Sequence, residues 1–155
     1  MTTPDSNSND GAIVINLSNN TPEKAEAERR ARAALAELFD GKPNGPVPRS
    51  VWMGDGYLEA YVFNRRLHLS AVFVLHEKRA GGLGTEYLRA VLAAADKHGS
   101  EVECSVEAFG DNSDKSRLTN RQLTAWYKRH GFVPVPNRKN FMVRPAKTPL
   151  ASPQD

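Results

Sequence analysis

Cysteine is almost missing from this chain of 155 residues: Cys104 stands alone. No intramolecular disulfide can form, and a disulfide scaffold and a cysteine-rich zinc site are both excluded. Long apolar runs are missing as well. Nothing approaches the roughly 18 consecutive apolar residues of a membrane-spanning helix, and the polar opening MTTPDSNSNDG has no apolar signal segment. No membrane span is expected, and the expected location is cytoplasmic. A strong charge of one sign is also lacking, with 21 Lys and Arg against 18 Asp and Glu, a net +3. That mild bias suits an anionic ligand and does not require nucleic acid as a partner. No His, Asp or Glu spacing suggests a metal, so none is expected.

What is there is ordinary for a single soluble globular domain, with 39% hydrophobic and 25% charged residues. Residues 1–11 and 146–155 are polar or proline-rich, and both predict disordered tails around one domain over 12–145. Ala12–Leu17 predicts a first strand. Thr21 as N-cap and Pro22 at the first helical position start a helix that runs to Phe39 and stops at Asp40–Gly41. Ser50–Met53, Tyr57–Phe63 and Leu67–Leu75 predict three antiparallel strands separated by short polar breaks. Alternation along the third puts Leu67, Leu69, Ala71 and Phe73 on one face and His68, Ser70, Val72 and Val74 on the other. Thr85–His98 predicts a helix closed by Gly99, and Val102–Ala108 a strand with Cys104, Val106 and Ala108 on its apolar face. Thr119 and Gln122 form a capping box at the head of a last helix. Phe132–Val135 and Phe141–Arg144 suggest a closing hairpin.

The strongest local signal is KRAGGLG, from Lys78 to Gly84, between a strand and a helix. Three glycines remove side chains where the backbone must turn and meet a ligand closely. The amides and dipole of a helix start then favour a phosphate or pyrophosphate. No Lys follows the last glycine, which argues against a nucleoside triphosphate site. Gly82 and Gly84 match the first two glycines of a dinucleotide loop, but Tyr87 stands where the third should be. A dinucleotide-dependent oxidoreductase is thereby the weaker alternative. Coenzyme A is the third ligand class for such a loop.

The last helix, from Asn120 through Trp126, Tyr127 and His130 to Gly131 and Phe132, favours coenzyme A. Together these segments resemble the GNAT superfamily of acetyltransferases. Its loop, [Arg/Gln]-x-x-Gly-x-[Gly/Ala], is matched by Arg79, Gly82 and Gly84. Its later helix, Asn-x-x-Ala-x-x-Leu-Tyr-x-Lys-x-Gly-Phe, is matched in register by Asn120, Tyr127, Gly131 and Phe132. Leu123, Trp126 and Arg129 depart from that pattern. The resemblance covers about residues 46–145, and one helix precedes it where the family has two.

The resemblance implies an α/β (α+β) fold: a mixed, mostly antiparallel twisted sheet flanked by helices, its central strands splaying apart. It implies acetyl-CoA as co-substrate without a metal, and an acetyl group passed to a primary amine by direct attack in a ternary complex. The pantetheine arm would pair with backbone at Phe73, Val74 and Leu75, and an amide around Val74 or Leu75 would stabilise the oxyanion. The diphosphate would sit on Arg79, Ala80, Gly81, Gly82, Leu83, Gly84 and Thr85, with Asn120 bonding the pantetheine side. Tyr127 would face the sulfur and protonate the departing thiolate. Glu107 is the first choice for a base or water-positioning group, ahead of His68, and Asp111 and Asp114 could hold a cationic acceptor. The acceptor is expected to be a small-molecule or peptide amine, and a homodimer is compatible with the resemblance. A non-catalytic module that binds CoA or nucleic acid is the competing function.

Overall fold

A computed structural model describes residues 21–107 and 118–147. The strand expected at Ala12–Leu17 and the loop holding Asp111 and Asp114 lie outside the described residues. Helix α1 spans Pro22–Phe39, and Thr21 caps it by accepting the Lys24 N–H at 3.2 Å. Strands β1 (Ser50–Trp52), β2 (Gly56–Phe63) and β3 (Arg66–Val74) form an antiparallel meander. A single 3-10 segment, His76–Gly81, then leads into α2, Leu83–His98. Strand β4 (Val102–Ser105) follows, then α3 (Asn120–Arg129), β5 (Val133–Pro134) and β6 (Phe141–Arg144). At α3 the capping box is complete: Thr119 accepts the Gln122 N–H at 3.1 Å and Gln122 accepts the Thr119 N–H at 2.8 Å.

Among the described residues six strands lie in the order β1-β2-β3-β4-β6-β5, and β3 and β4 are the parallel pair. This is the mixed, mostly antiparallel sheet flanked by helices that the resemblance implied. Helix α2 is the crossover a parallel pair requires. Residues of α1, α2 and α3 meet one face of the sheet in a single apolar cluster, with Ala34, Leu38, Leu88, Val91 and Tyr127 against Leu58, Leu67, Leu69, Cys104 and Met142. The other face carries Tyr57, Tyr61, His68, Glu103 and Phe141.

The strand alternation read from the sequence fails half-way along β3. Glu59 pairs with Ala71 but Ala60 pairs with Leu69, so Ser70 is an extra residue, a β-bulge. One inserted residue reverses every side chain beyond it. Leu67 and Leu69 face the core as expected, but from there Val72 and Val74 join it, and Phe73 turns to the opposite face and stacks on Tyr57 at 5.1 Å.

Candidate active site at the strand splay

Strands β3 and β4 pair at three rows only, Leu67 with Val102, His68 with Glu103 and Leu69 with Cys104. Beyond that β3 continues to Val74 with no strand partner on that side among the described residues, and a gap opens between the two strands. Leu75 donates its N–H to the Asp55 carbonyl at 2.8 Å, toward β2. That amide is therefore taken. Alternation then turns the Val74 N–H and C=O toward the gap. The Val74 carbonyl accepts Nε of Arg79 at 2.9 Å, and the guanidinium lies 5.3 Å from the Phe73 ring centre. Arg79 thus folds back over the end of β3 and fixes the turn that follows.

At the head of α2 the glycines have separate tasks. Gly82 has φ +79°, a left-handed conformation that side chains resist. A Cβ at Gly81 or Gly82 would meet nothing within 4 Å, so the space before the loop is open. Helices α1 and α3 are capped by threonines, but α2 has no side-chain cap. The N–H groups of Leu83, Gly84 and Thr85 occupy its first turn, where no intrahelical acceptor is available. They form a donor cluster at the positive end of the helix dipole. Ala80 lies in the 3-10 segment just ahead.

Helix α3 is pinned to this turn. Trp126 Nε1 donates to Thr85 Oγ1 at 3.0 Å, and the Trp126 ring lies beside Gly84. The next residue, Tyr127, is 5% exposed and packs edge-on against Phe132 at 5.2 Å. Its hydroxyl has no hydrogen-bond partner among the described residues. Burial, with the neighbouring Cys104, pushes the phenol well above its ordinary pKa, so it stays protonated. Cys104 is itself buried, and its thiol is pushed up to about 12 by that burial and by Glu103, which argues against a thiolate nucleophile.

Asn120 opens α3, and its carbonyl accepts the Thr124 hydroxyl at 2.9 Å. Glu107 lies two residues past β4, exposed and without a hydrogen bond among the described residues. The structure therefore brings Val74, Gly84, Thr85 and Trp126 together, with Tyr127 next along α3, and leaves Glu107 exposed past the end of β4. Trp126 was missed as a site element. Its signal was a tryptophan where the family has leucine, since an indole N–H in a core needs an acceptor.

The larger omission is a buried charge cluster on the opposite face. Glu103 is fully buried, and its carboxylate accepts Arg66 Nη1 at 3.1 Å and Arg138 Nη1 at 3.2 Å and lies 2.8 Å from His68 Nδ1. Burial alone would push its pKa up. Hydrogen bonds from His68 and Arg66, and the positive charge of Arg138, outweigh that and hold it below the usual carboxylate range.

The chain is similar in shape to several solved proteins. The crystal structure of the anti-CRISPR protein AcrVA5 matches at TM-score 0.49 and 17% identity, covering 61% of this chain and 94% of that one. An acetyltransferase from Bacillus cereus matches at TM-score 0.44 and 14% identity, covering 88% and 87%. An acetyltransferase from Thermus thermophilus matches at 0.44 and 19%, covering 79% and 90%. No family model and no curated protein matches the sequence. All three TM-scores lie below 0.5, so the chemistry of the site has to be read from the chain's own residues.

Proposed function

We propose that this protein is an N-acetyltransferase that moves the acetyl group of acetyl-CoA to a primary amine of a small molecule or peptide. The observation that carries this reading is the 3.0 Å bond from Trp126 to Thr85. It joins two motifs that are separate in sequence, and so supports a site built from an uncapped helix start and a buried phenol that has no partner among the described residues. A buried hydroxyl with no partner costs about 1–3 kcal/mol, whereas the half-exposed helix start is free to exchange water for a ligand.

Each part of the co-substrate meets a fitting group. The diphosphate is taken by the amides of Leu83, Gly84 and Thr85, with Gly81 and Gly82 giving close approach. The pantetheine arm pairs with the open edge of β3 and with Asn120. The acceptor nitrogen attacks the thioester carbon, and the Val74 N–H stabilises the oxygen as it becomes negative. As the C–S bond breaks, Tyr127 gives its proton to the sulfur. Direct attack suits a site whose one thiol, Cys104, is held neutral.

The test is calorimetry with acetyl-CoA followed by a CoA-release assay over a panel of amines. Uptake with amine-dependent release is the expected result. Uptake without release would favour a binding module, and no uptake of any CoA species would end this reading.

A further inference from the structure

We infer that the cavity at the β5–β6 turn seats the acceptor, and that the acceptor is an amine bearing a carboxylate, which Arg138 holds. The inference rests on the acetyltransferase reading above and names the substrate class which that reading leaves open.

The cavity has a volume of about 620 Å³. Small-ligand sites span about 300–1,000 Å³, so it has room for a small molecule or the end of a peptide. It is bounded by β5, β6 and the turn between them, by Thr124 of α3 and by Val106 just past β4. Thr124 stands one turn before Tyr127 on the same helix, and Val106 belongs to the same apolar cluster as Tyr127. Strand β4 is one side of the gap. The cavity therefore borders both α3 and the end of β4, the elements that frame the proposed reaction on this side.

Its charged lining is all of one sign. Arg138 and Lys139 line it beside the neutral Thr124, Asn137 and Asn140, and no acidic side chain among the described residues does. Glu107 follows Val106 in sequence but does not line the cavity. A concave site lined by cations attracts an anionic group and repels a polycation. The two acids that suggested a cationic acceptor, Asp111 and Asp114, lie outside the described residues.

Arg138 is set in place before any ligand arrives. Its Nη1 donates to the buried Glu103 carboxylate at 3.2 Å, and its guanidinium lies 3.9 Å from the centre of the Phe141 ring. The turn carrying it closes on its own backbone: the Arg138 N–H donates to the Val135 carbonyl at 3.3 Å, and the Phe141 N–H to the Arg138 carbonyl at 3.2 Å. Asn137 and Asn140 take the left-handed positions, at φ +65° and +66°, which asparagine accepts more readily than most residues. Nε and Nη2 of Arg138 have no hydrogen-bond partner among the described residues. A guanidinium is a planar fork whose donors match the two oxygens of a carboxylate. With Nη1 and the ring face already fixed, little freedom remains to be lost when the free donors take an anion. Glu103 thus positions Arg138 from behind. Arg66 and Arg138 balance Glu101 and Glu103 in the ion-pair cluster, so the surplus cation at the cavity is Lys139, exposed and without an ion-pair partner among the described residues.

The test uses the whole protein, acetyl-CoA and amines in matched pairs, each a carboxylate and its carboxamide. Free amino acids with their amides form one arm, short peptides with a free or amidated C-terminus the other, and spermidine stands beside them. The carboxylate member should show kcat/KM higher by about 10- to 100-fold, through KM. Preference in the first arm assigns a free amino acid as acceptor, and in the second a peptide. Arg138→Gln should erase the preference and leave the acetyl-CoA Kd and the carboxamide KM unchanged. Calorimetry of the same pairs on the CoA-loaded protein makes the comparison without turnover. If Arg138→Gln does not fold, Lys139→Gln should weaken the carboxylate members alone. Equal behaviour within the pairs, spermidine as the best acceptor, no binding of any carboxylate member, or equal losses across a pair in a folded variant would overturn the inference. If the unaltered protein takes up no CoA species, both readings fall. If it takes up acetyl-CoA and releases CoA with neutral or polycationic amines instead, this inference alone fails.

Discussion

Asp96 on α2 and Arg144 on β6 meet in a two-pronged ion pair, with contacts of 2.8 and 3.2 Å. Arg144 Nε also donates to the His130 carbonyl at 3.1 Å, at the C-terminal end of α3. One guanidinium therefore ties together the crossover helix, the last strand and the helix carrying Tyr127. The hydrogen bonds from Arg144, aided by the charges of Arg144 and Lys147, outweigh partial burial and depress the Asp96 pKa. A depressed carboxylate stabilises the fold fully above its unfolded pKa, about 4, and loses that contribution as pH falls through its lower native value. Acid unfolding of Asp96→Asn should therefore start from a lower stability, by about 1–2 kcal/mol at neutral pH, and show a shallower loss below pH ~4. Urea melts at several pH values measure this. Equal stability at pH 7 would mean the pair does not hold these elements together.

Tyr127 allows function and stability to be told apart. Its hydroxyl is buried without a partner among the described residues, so Tyr127→Phe removes an unsatisfied group and should leave stability unchanged or raise it by up to about 1 kcal/mol. Loss of the proton donor should slow amine-dependent CoA release by about 100-fold, with acetyl-CoA affinity nearly intact. Thermal melts, calorimetry and the release assay on one variant check all three. A destabilised variant would make the phenol a structural group, and unchanged turnover would remove it from the mechanism.

What could be read from the sequence was local. Thr21, Thr119 and Gln122 cap helices through bonds that span three residues, and those caps stand where the sequence predicts them. The antiparallel pairing of β1, β2 and β3 also follows, because short polar breaks force neighbours to pair. The hidden features depend on distant partners. Glu103 alternates with apolar neighbours and has the pattern of a solvent-facing residue. It is buried because Arg66 and Arg138, 37 and 35 residues away, neutralise it. The bulge at Ser70 leaves the residue pattern of β3 unmarked, since Val72 suits either face. The Trp126–Thr85 bond spans 41 residues, and no spacing rule reaches that far.

Gly81 and Gly82 test the proposed diphosphate site as a matched pair. Gly82 has φ +79° and Gly81 has no such constraint, yet a Cβ at either would enter open space. Gly82→Ala should cost about 1–2 kcal/mol in left-handed strain. Gly81→Ala should cost almost nothing in the free protein. Both should weaken acetyl-CoA, because the methyl group stands where the ligand's phosphates approach. Loss of affinity without loss of stability at Gly81 is the decisive result, read by calorimetry beside a thermal melt. Full affinity in Gly81→Ala would move the diphosphate away from this turn.

The burial of Cys104 argues against a covalent route. Its side chain lies in the core beside Met142 and Tyr127, and burial pushes the thiol up to about 12. Almost none of it is thiolate at neutral pH, and a reagent must wait for the fold to open. Labelling by an aromatic disulfide should therefore be slow in buffer and rapid in urea, with the slow rate tracking global stability across variants. Cys104→Ala should retain amine-dependent CoA release while losing stability through the cavity left in the core. Fast labelling in buffer, or loss of turnover in a folded Cys104→Ala protein, would point instead to an acetyl-cysteine intermediate. Transfer would then proceed in two displacements, and acetyl-CoA alone should leave one acetyl group on the protein, a mass change that intact-protein spectrometry would detect.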